Sequence, residues 1–202
     1  MSHGFADLMF TPAVQALQSE NGSRASYARM QAQGDGNDAL SEREAGFLRA
    51  ADHFYLGTVS ETGWPYVQHR GGPAGFIHVL SPNRIAFADF RGNQQFVSSG
   101  NASRNNRCAM IVMDYASQTR LKMIGRLRFV RLDDLEDELF DVAELADYRA
   151  RVERVAVIDV EGFDWNCPQH ITPRYTVDEI RERTQPLLDR IAELEAKLAK
   201  RG

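Results

Sequence analysis

From Phe54 to Val130, short runs of β-branched and aromatic residues alternate with Gly, Pro, Asn and Asp. This pattern constrains the fold most, because it is typical of antiparallel strands joined by tight turns. An acidic segment, residues 133–150, is expected to be a helical crossover before one last strand. The spacing predicts a mainly β protein with flanking helices, an α+β fold around an antiparallel barrel. The predicted strands are Phe54–Ser60, Pro65–Arg70, Phe76–Leu80, Arg84–Asp89, Arg107–Asp114, Leu121–Leu132 and Val152–Val160.

Helices are predicted on both sides of the β region and once within it. A short helix is expected from Thr11 to Leu17, and Gln94–Gly100 indicates another between two strands. Ser41 and Glu44 match a capping box, which predicts a helix from Ser41 to Asp52.

The C-terminal segment is predicted to be an amphipathic helix. Pro186 is tolerated in a first helical turn, so the helix is expected to begin near Thr184. Its apolar face can pack against its own barrel or pair with a partner, and the pattern leaves both open. The apolar residues at helical spacing are Leu187, Leu188, Ile191, Leu194 and Leu198.

Three parts are expected in the 202 residues: an N-terminal helical or irregular extension (1–40), a barrel domain (41–176) and the C-terminal helix (177–202). A net charge of −4 and a pI near 5.8 argue against nucleic-acid binding through a broad basic surface. The chain has two cysteines, no signal-peptide pattern and no membrane-spanning run. A cytoplasmic protein with reduced thiols is expected.

The segment Gly63–Phe76 (GWPYVQHRGGPAGF) is the first candidate for a binding site. Gly71 and the glycine after it let a backbone approach a ligand, and Arg70 offers a guanidinium to a phosphate. For the two glycines alone an ordinary hairpin is the more frequent explanation, and the adjacent Gln68, His69 and Arg70 shift the balance towards a binding site. His69 is a candidate for proton transfer, although a histidine on a strand is more often a packing residue.

The segment Phe87–Phe96 (FADFRGNQQF) repeats this preference for anions. A strand turns through Arg91 into a predicted helix, whose N-terminal N–H groups favour an anion. Simple capping by Asn93 is the alternative.

A third segment, Phe163–Tyr175 (FDWNCPQHITPRY), mixes aromatic and amide side chains. Trp165 can cover a planar ring, and Asn166 and Gln169 can bond ring carbonyls and nitrogens, so the segment is expected to be a lid over a heterocycle. Cys167 and His170 have a C-x-x-H spacing, but a zinc site needs further ligands, and no metal is expected.

Together with Thr58 and Arg120–Arg126 (RLKMIGR), these segments resemble the flavin-nucleotide-binding proteins related to pyridoxamine 5′-phosphate oxidase. The resemblance begins near Ser41. It implies a split β-barrel that forms a homodimer, with FMN in grooves between the subunits, and a flavin-dependent oxidoreductase acting on a small molecule, with NADPH or NADH as candidate electron donors.

The resemblance also implies roles for individual residues. One strand would contact the flavin ring and phosphate, a strand-to-helix turn would bind the phosphate, Arg120 would lie beside the ring, and the lid would come from the second subunit. The residues carried over are Gln68, His69, Arg70 and Gly71 on the strand, Asp89, Arg91, Gly92, Asn93 and Gln94 on the turn, and Trp165, Asn166 and Gln169 on the lid.

Two departures from the oxidases make pyridoxamine-phosphate oxidation doubtful. Asn93 and Gln94 stand at the Arg-Lys pair of the oxidases, and Pro73 stands at a lysine that helps hold pyridoxamine phosphate. Two alternatives stay open: a non-catalytic module that binds or senses FMN, and a split-barrel protein that holds haem or another phosphorylated cofactor.

Overall fold

The computed structural model describes residues 4–33, 37–145, 148–165 and 169–200. Its internal contacts form two compact units. The first comprises Met1–Met113 and Arg120–Cys167, and the second comprises Asp114–Thr119 and Pro168–Gly202.

The first unit is built on a seven-stranded antiparallel sheet in the order β2-β1-β5-β6-β7-β4-β3. Its strands fall where the turn residues predict them, with ends that shift by two residues or fewer except at the end of the last strand. They are β1 His53–Val59, β2 Pro65–Gly71, β3 Ile77–Ser81, β4 Arg84–Phe90, β5 Arg107–Asp114, β6 Thr119–Arg131 and β7 Val152–Trp165.

The main core lies on one face of the sheet, as β1 shows, and a smaller buried cluster is formed by Ala86, Leu139, Val142, Val155 and Val157. Phe54, Leu56 and Thr58 are buried, whereas the residues between them are partly exposed. The Phe54 ring stacks on Phe76, with centroids 5.8 Å apart, and meets Phe87 edge-on at 4.8 Å. Full burial of one such side chain contributes about 1.5–3 kcal/mol, so this aromatic cluster helps to fix the sheet register.

The described residues also form seven α-helices. The predicted capping box is confirmed: the Ser41 hydroxyl caps α4, and the Glu44 carboxylate accepts a 2.9 Å bond from the Ser41 N–H. The helices are α1 Phe5–Met9, α2 Pro12–Glu20, α3 Arg24–Gln33, α4 Glu42–Ala50, α5 Val97–Arg104, α6 Phe140–Ala143 and α7 Val177–Ala199.

The expectation of a helix across residues 133–150 is wrong. In its place are two short 3-10 turns and the single turn of α6, since Leu139 and Val142 are buried there while the acidic side chains are exposed. The acidic composition of this segment favours a helix, but the segment lacks the long apolar face that a helix needs for packing.

The last strand is longer than predicted, because β7 stays paired with β6 as far as Leu121 opposite Trp165. Phe163–Trp165, expected to begin a lid loop, is therefore strand. Bulges near Gly125 on β6 and Asp89 on β4 interrupt the register on either side of β7.

Helix α7 belongs to the second unit and begins at Val177, not near Thr184. Thr176 and Glu179 form a capping box, and this N-terminal signal outweighs the interruption at Pro186 inside the helix. None of its residues is buried, and the exposed fractions of its apolar side chains range from 43% for Leu194 to 69% for Leu198. In the described ranges no helix is long and apolar enough to cross a membrane.

Cys108 on β5 is expected to be unreactive, because its side chain is buried and burial raises the pKa of the thiol to about 12. The thiolate is the species that reacts with alkylating reagents. In a Cys167→Ser background, iodoacetamide at pH 8 should leave Cys108 unmodified in the folded protein and modify it fully in urea, as measured by intact-mass spectrometry. Equal labelling rates in the two states would contradict its burial.

Candidate functional site

A small cleft lies where β2, β4 and the start of β7 approach the N-terminus of α5. Its volume is about 50 Å³, enough for a phosphate-sized anion or a few water molecules. It is lined mostly by polar side chains and by the turn before α5: Tyr66, Gln68, Arg70, Asp89, Phe90, Gly92, Asn93, Gln94, Gln95, Phe96, Val97, Ser98, Ser99, Glu153 and Arg154.

Two arginines share one buried carboxylate at the base of the cleft. Arg70 of β2 donates to one oxygen of Asp89, and Arg154 of β7 donates to the other. Asp89 and Arg154 are cross-strand neighbours on β4 and β7, so the backbone register places this pair. Since two positive charges meet one negative charge, the group carries a net charge of +1 and favours an anion.

Aromatic rings hold the Arg154 guanidinium in place. Its central carbon lies 5.1 Å from the centroid of the Phe96 ring and 4.8 Å from that of Phe129. Phe96 and Gln94 have positive φ angles of 52° and 59°, which are unfavourable for residues with side chains. This left-handed backbone also explains why α5 begins at Val97 rather than at Gln94, as predicted.

Two side-chain hydrogen bonds fix helix α5 to strands β2 and β1 of the sheet. The buried Ser98 hydroxyl donates to the Gln68 carbonyl oxygen at 3.1 Å, and the Asn101 amide donates to the Thr58 hydroxyl at 3.0 Å. Among the described residues no side chain caps the N-terminus of α5, whose first residues line the cleft. Its uncapped N–H groups add to the preference for an anion.

The cleft holds more hydrogen-bonding capacity than the protein itself uses. The Nε atoms of Arg70 and Arg154 are buried and have no partner among the described residues. Buried polar groups are normally paired, so an unpaired group of this kind calls for a ligand or a water. The residues present therefore fit a phosphate group, which accepts several hydrogen bonds and matches the guanidinium fork.

The structure brings together six of the residues that the sequence predicted for a site, from both anion-binding segments. Three others on the same segments lie elsewhere because of strand alternation and local pairing. The six that line the cleft are Gln68, Arg70, Asp89, Gly92, Asn93 and Gln94.

Arg91 and His69 do not line the cleft. The Arg91 side chain is half-exposed and lies 3.6 Å from the carboxylate of Glu153. His69 points to the opposite side of β2 from Gln68 and Arg70, where its ring stacks on His53 at 5.7 Å and meets Tyr55 edge-on at 5.6 Å.

Gly71 pairs with His53 across the strands and is not part of the cleft either. The following Gly72 has a packing role, since a Cβ there would lie 2.6 Å from Cγ of Phe76.

Arg120 and Trp165 lie at the far end of β6 and β7. Trp165 is eleven residues from Arg154 along one strand, a separation of about 35 Å at the usual rise. The Arg120 Nε is buried without a partner among the described residues. Asn166 lies outside the described residues, and Gln169 is exposed in the second unit.

Trp165 is held firmly within its own unit. Its indole N–H donates to Glu44 at 2.7 Å, its ring meets Phe47 edge-on at 4.9 Å, and the Arg43 guanidinium lies 4.4 Å above it. Burial raises the pKa of Glu44, but hydrogen bonds from Ser41 and Trp165 outweigh this and leave the pKa below its usual value.

Sequence reasoning missed Arg154, Phe96 and Ser98. Arg154 lies at the start of β7, directly before an apolar run, and only its register opposite Asp89 reveals its role. The serines of α5 carried a weak signal, since small polar residues in a first helical turn are common at anion sites.

Comparison with known families places this site in context. The model of the pyridoxamine 5′-phosphate oxidase family matches residues 40–163. The chain therefore belongs to that family, and the matched range contains every residue that lines the cleft.

Several solved structures are similar to the chain. HupZ from Group A Streptococcus is 12% identical with a TM-score of 0.50, covering 67% of this chain and 99% of its own. An FMN-binding protein from Syntrophomonas wolfei is 12% identical with a TM-score of 0.47, covering 74% and 97%. A candidate pyridoxamine 5′-phosphate oxidase from Lactobacillus delbrueckii is 20% identical with a TM-score of 0.47, covering 63% and 94%. No curated protein shows significant similarity to the chain.

Proposed function

We propose that this protein is an FMN-dependent oxidoreductase whose cleft binds the phosphate of FMN. The observation that carries the proposal is the pair of arginines around Asp89, in a family named for a phosphate-containing substrate. The start of α5, which lines the cleft, adds backbone N–H donors, and the Nε atoms of Arg70 and Arg154 have no partner among the described residues.

Each part of the cleft has a distinct task in this proposal. Arg70 and Arg154 donate to the phosphate, and Asp89 keeps the two guanidinium groups in place and limits their mutual repulsion. The Phe96 and Phe129 rings restrict the Arg154 side chain, so little conformational entropy is lost on binding. FMN, when bound, supplies electron or hydride transfer, and no side chain of the protein has to act as a nucleophile.

The flavin ring needs more room than this cleft offers, and we propose that a second subunit provides it. In this arrangement the chain is a split β-barrel that forms a homodimer with FMN at the interface. The far end of β6 and β7, with Arg120 and Trp165, would approach the partner's cleft, because eleven residues of β7, up to about 35 Å of strand, separate Trp165 from Arg154 of the same chain.

A flat face of the sheet is suited to this dimer. Across β2, β1 and β5, Val67, Gly57 and Ala109 lie side by side, and Val67 is 65% exposed. The next row contains His69, which is exposed, and Tyr55 and Ile111, which are partly exposed. The small and apolar side chains of the first row let two sheets pack closely, and the aromatic rings of the second add contact area.

The substrate differs from that of the oxidases in this proposal, because Asn93 and Gln94 line the cleft where an Arg-Lys pair is expected. NADPH or NADH is the proposed electron donor, and a cytoplasmic location remains a prediction.

Stopped-flow reduction tests the catalytic part of the proposal. Protein loaded with FMN should lose flavin absorbance when mixed anaerobically with NADPH or NADH, and should recover it when an acceptor is added. Stable binding of FMN without reduction by either donor would instead favour the non-catalytic flavin-binding module. A haem spectrum in freshly purified protein would contradict the flavin proposal.

A further inference from the structure

A second cavity lies at the opposite end of β7 from the cleft, beneath the N-terminal helices. Its volume is about 440 Å³, within the range of small-molecule sites. The helices that cover it precede residue 40 and fall outside the segment matched by the family model. The lining residues are Phe5, Ala6, Phe10, Tyr27, Met30, Asn37, Lys122, Asp164 and Trp165.

The N-terminal extension is packed into the domain that it covers. A Cβ at Gly162 would lie 2.6 Å from the backbone nitrogen of Phe5, so only glycine allows α1 to approach β7 this closely. The Asn37 carbonyl accepts a 2.7 Å hydrogen bond from the Phe163 N–H. These contacts fix α1 and Asn37 against β7.

The walls of the cavity are largely aromatic. Phe10 and Tyr27 pack edge-on at 5.3 Å between the helices, and Trp165 is held by Glu44 on the other side. Tyr27 and Met30 are still 41% and 48% exposed. Partly exposed aromatic and thioether side chains around an open volume favour a flat, apolar ligand.

One charged pair, Lys122 and Asp164, lines the cavity. The Lys122 ammonium lies 2.8 Å from the Asp164 carboxylate and 5.0 Å from the centroid of the Phe5 ring. An ammonium has three N–H donors and a carboxylate only acceptors, so the pair presents a donor beside an acceptor with no net charge. A lactam edge, in which a carbonyl adjoins an N–H, is complementary to it.

We propose that this cavity binds a planar heteroaromatic lactam. The aromatic walls contact the faces of the ring, Lys122 donates to its carbonyl, and Asp164 accepts from its N–H. This site is separate from the phosphate cleft and does not depend on the function proposed for that cleft.

The probe is 2-quinolinone, a two-ring lactam, and the protein is the full chain with Trp64→Phe, which leaves Trp165 as the only tryptophan. Titration should change the fluorescence of Trp165, and calorimetry should give a saturable affinity. Ala6→Phe places a ring inside the cavity and should weaken binding at least about tenfold. Ala13→Phe, the same change at an exposed position on α2, should leave the affinity unchanged.

Two further measurements test the polar pair. N-methyl-2-quinolinone lacks the N–H and should bind the protein at least about tenfold more weakly than 2-quinolinone does. The affinity of Lys122→Met for 2-quinolinone should also be lower by at least about tenfold. Failure of 2-quinolinone to bind the wild-type cavity would overturn the proposal, as would an affinity that Ala6→Phe leaves intact. Equal affinity for the N-methylated ring would overturn the assignment of a lactam.

Discussion

Asp89→Ala is expected to lower the free energy of unfolding by about 3–5 kcal/mol, which is a large part of the stability of a typical domain. The substitution leaves Arg70 and Arg154 close together, mostly buried, without the carboxylate that both contact. Two uncompensated positive charges then repel each other in a poorly solvated place. Urea unfolding followed by circular dichroism measures the change.

Asp133→Ala provides the matched control. Asp133 also pairs with an arginine, Arg131 at 3.6 Å, but both side chains are largely exposed. Exposed pairs contribute little, so a loss below about 1 kcal/mol is expected. Similar losses in the two variants would show that Asp89 is not the buried centre of a charged group.

Arg154→Ala is expected to weaken FMN binding roughly 10- to 150-fold, because a charge-assisted hydrogen bond to phosphate contributes about 1.5–3 kcal/mol. The fold should survive, since Asp89 keeps its contact with Arg70. Calorimetry with FMN measures the affinity, and circular dichroism verifies the fold.

Arg91→Ala is the matched control, since the same residue type is removed beside the cleft rather than within it. Its guanidinium lies against Glu153 and is half-exposed. The affinity for FMN should fall by less than about fivefold. A larger loss of FMN affinity in Arg91→Ala than in Arg154→Ala would contradict this assignment and would indicate that the phosphate binds beside Arg91, as the sequence predicts.

Local signals in the sequence predicted the elements that depend on neighbouring residues. The turns between Phe54 and Val130 predicted the strands of the sheet, and Ser41 with Glu44 predicted the start of α4. These features are visible because a turn or a capping box involves residues within a few positions of each other.

The failures share a different physical origin. Helix α5 begins at Val97 rather than at Gln94 because Gln94 and Phe96 adopt a left-handed backbone conformation, which the propensities of these residues do not predict. Pro186 predicts a helix start near Thr184, since proline is favoured in a first turn, but the capping box of Thr176 and Glu179 starts α7 eight residues earlier and leaves Pro186 inside it.

The residues of the candidate site were likewise predictable only in part from the sequence. Arg70 and Asp89 were identifiable from their segments, but only the fold shows that Asp89 lies between Arg70 and Arg154. Arg154 is sixty-five positions from Asp89 in sequence, and the register of β7 against β4 brings the two residues together. Alternation along β2 likewise removes His69 from the cleft while keeping its two neighbours in it.

Comparison of FMN with riboflavin tests the central claim most directly, because the two ligands differ only in the phosphate. Calorimetric titration of ligand-free wild-type protein is expected to show FMN binding at least about 100-fold more tightly, given two arginines and a helix N-terminus around one phosphate. Equal affinities for FMN and riboflavin would contradict the assignment of the cleft between Arg70 and Arg154 as a phosphate site.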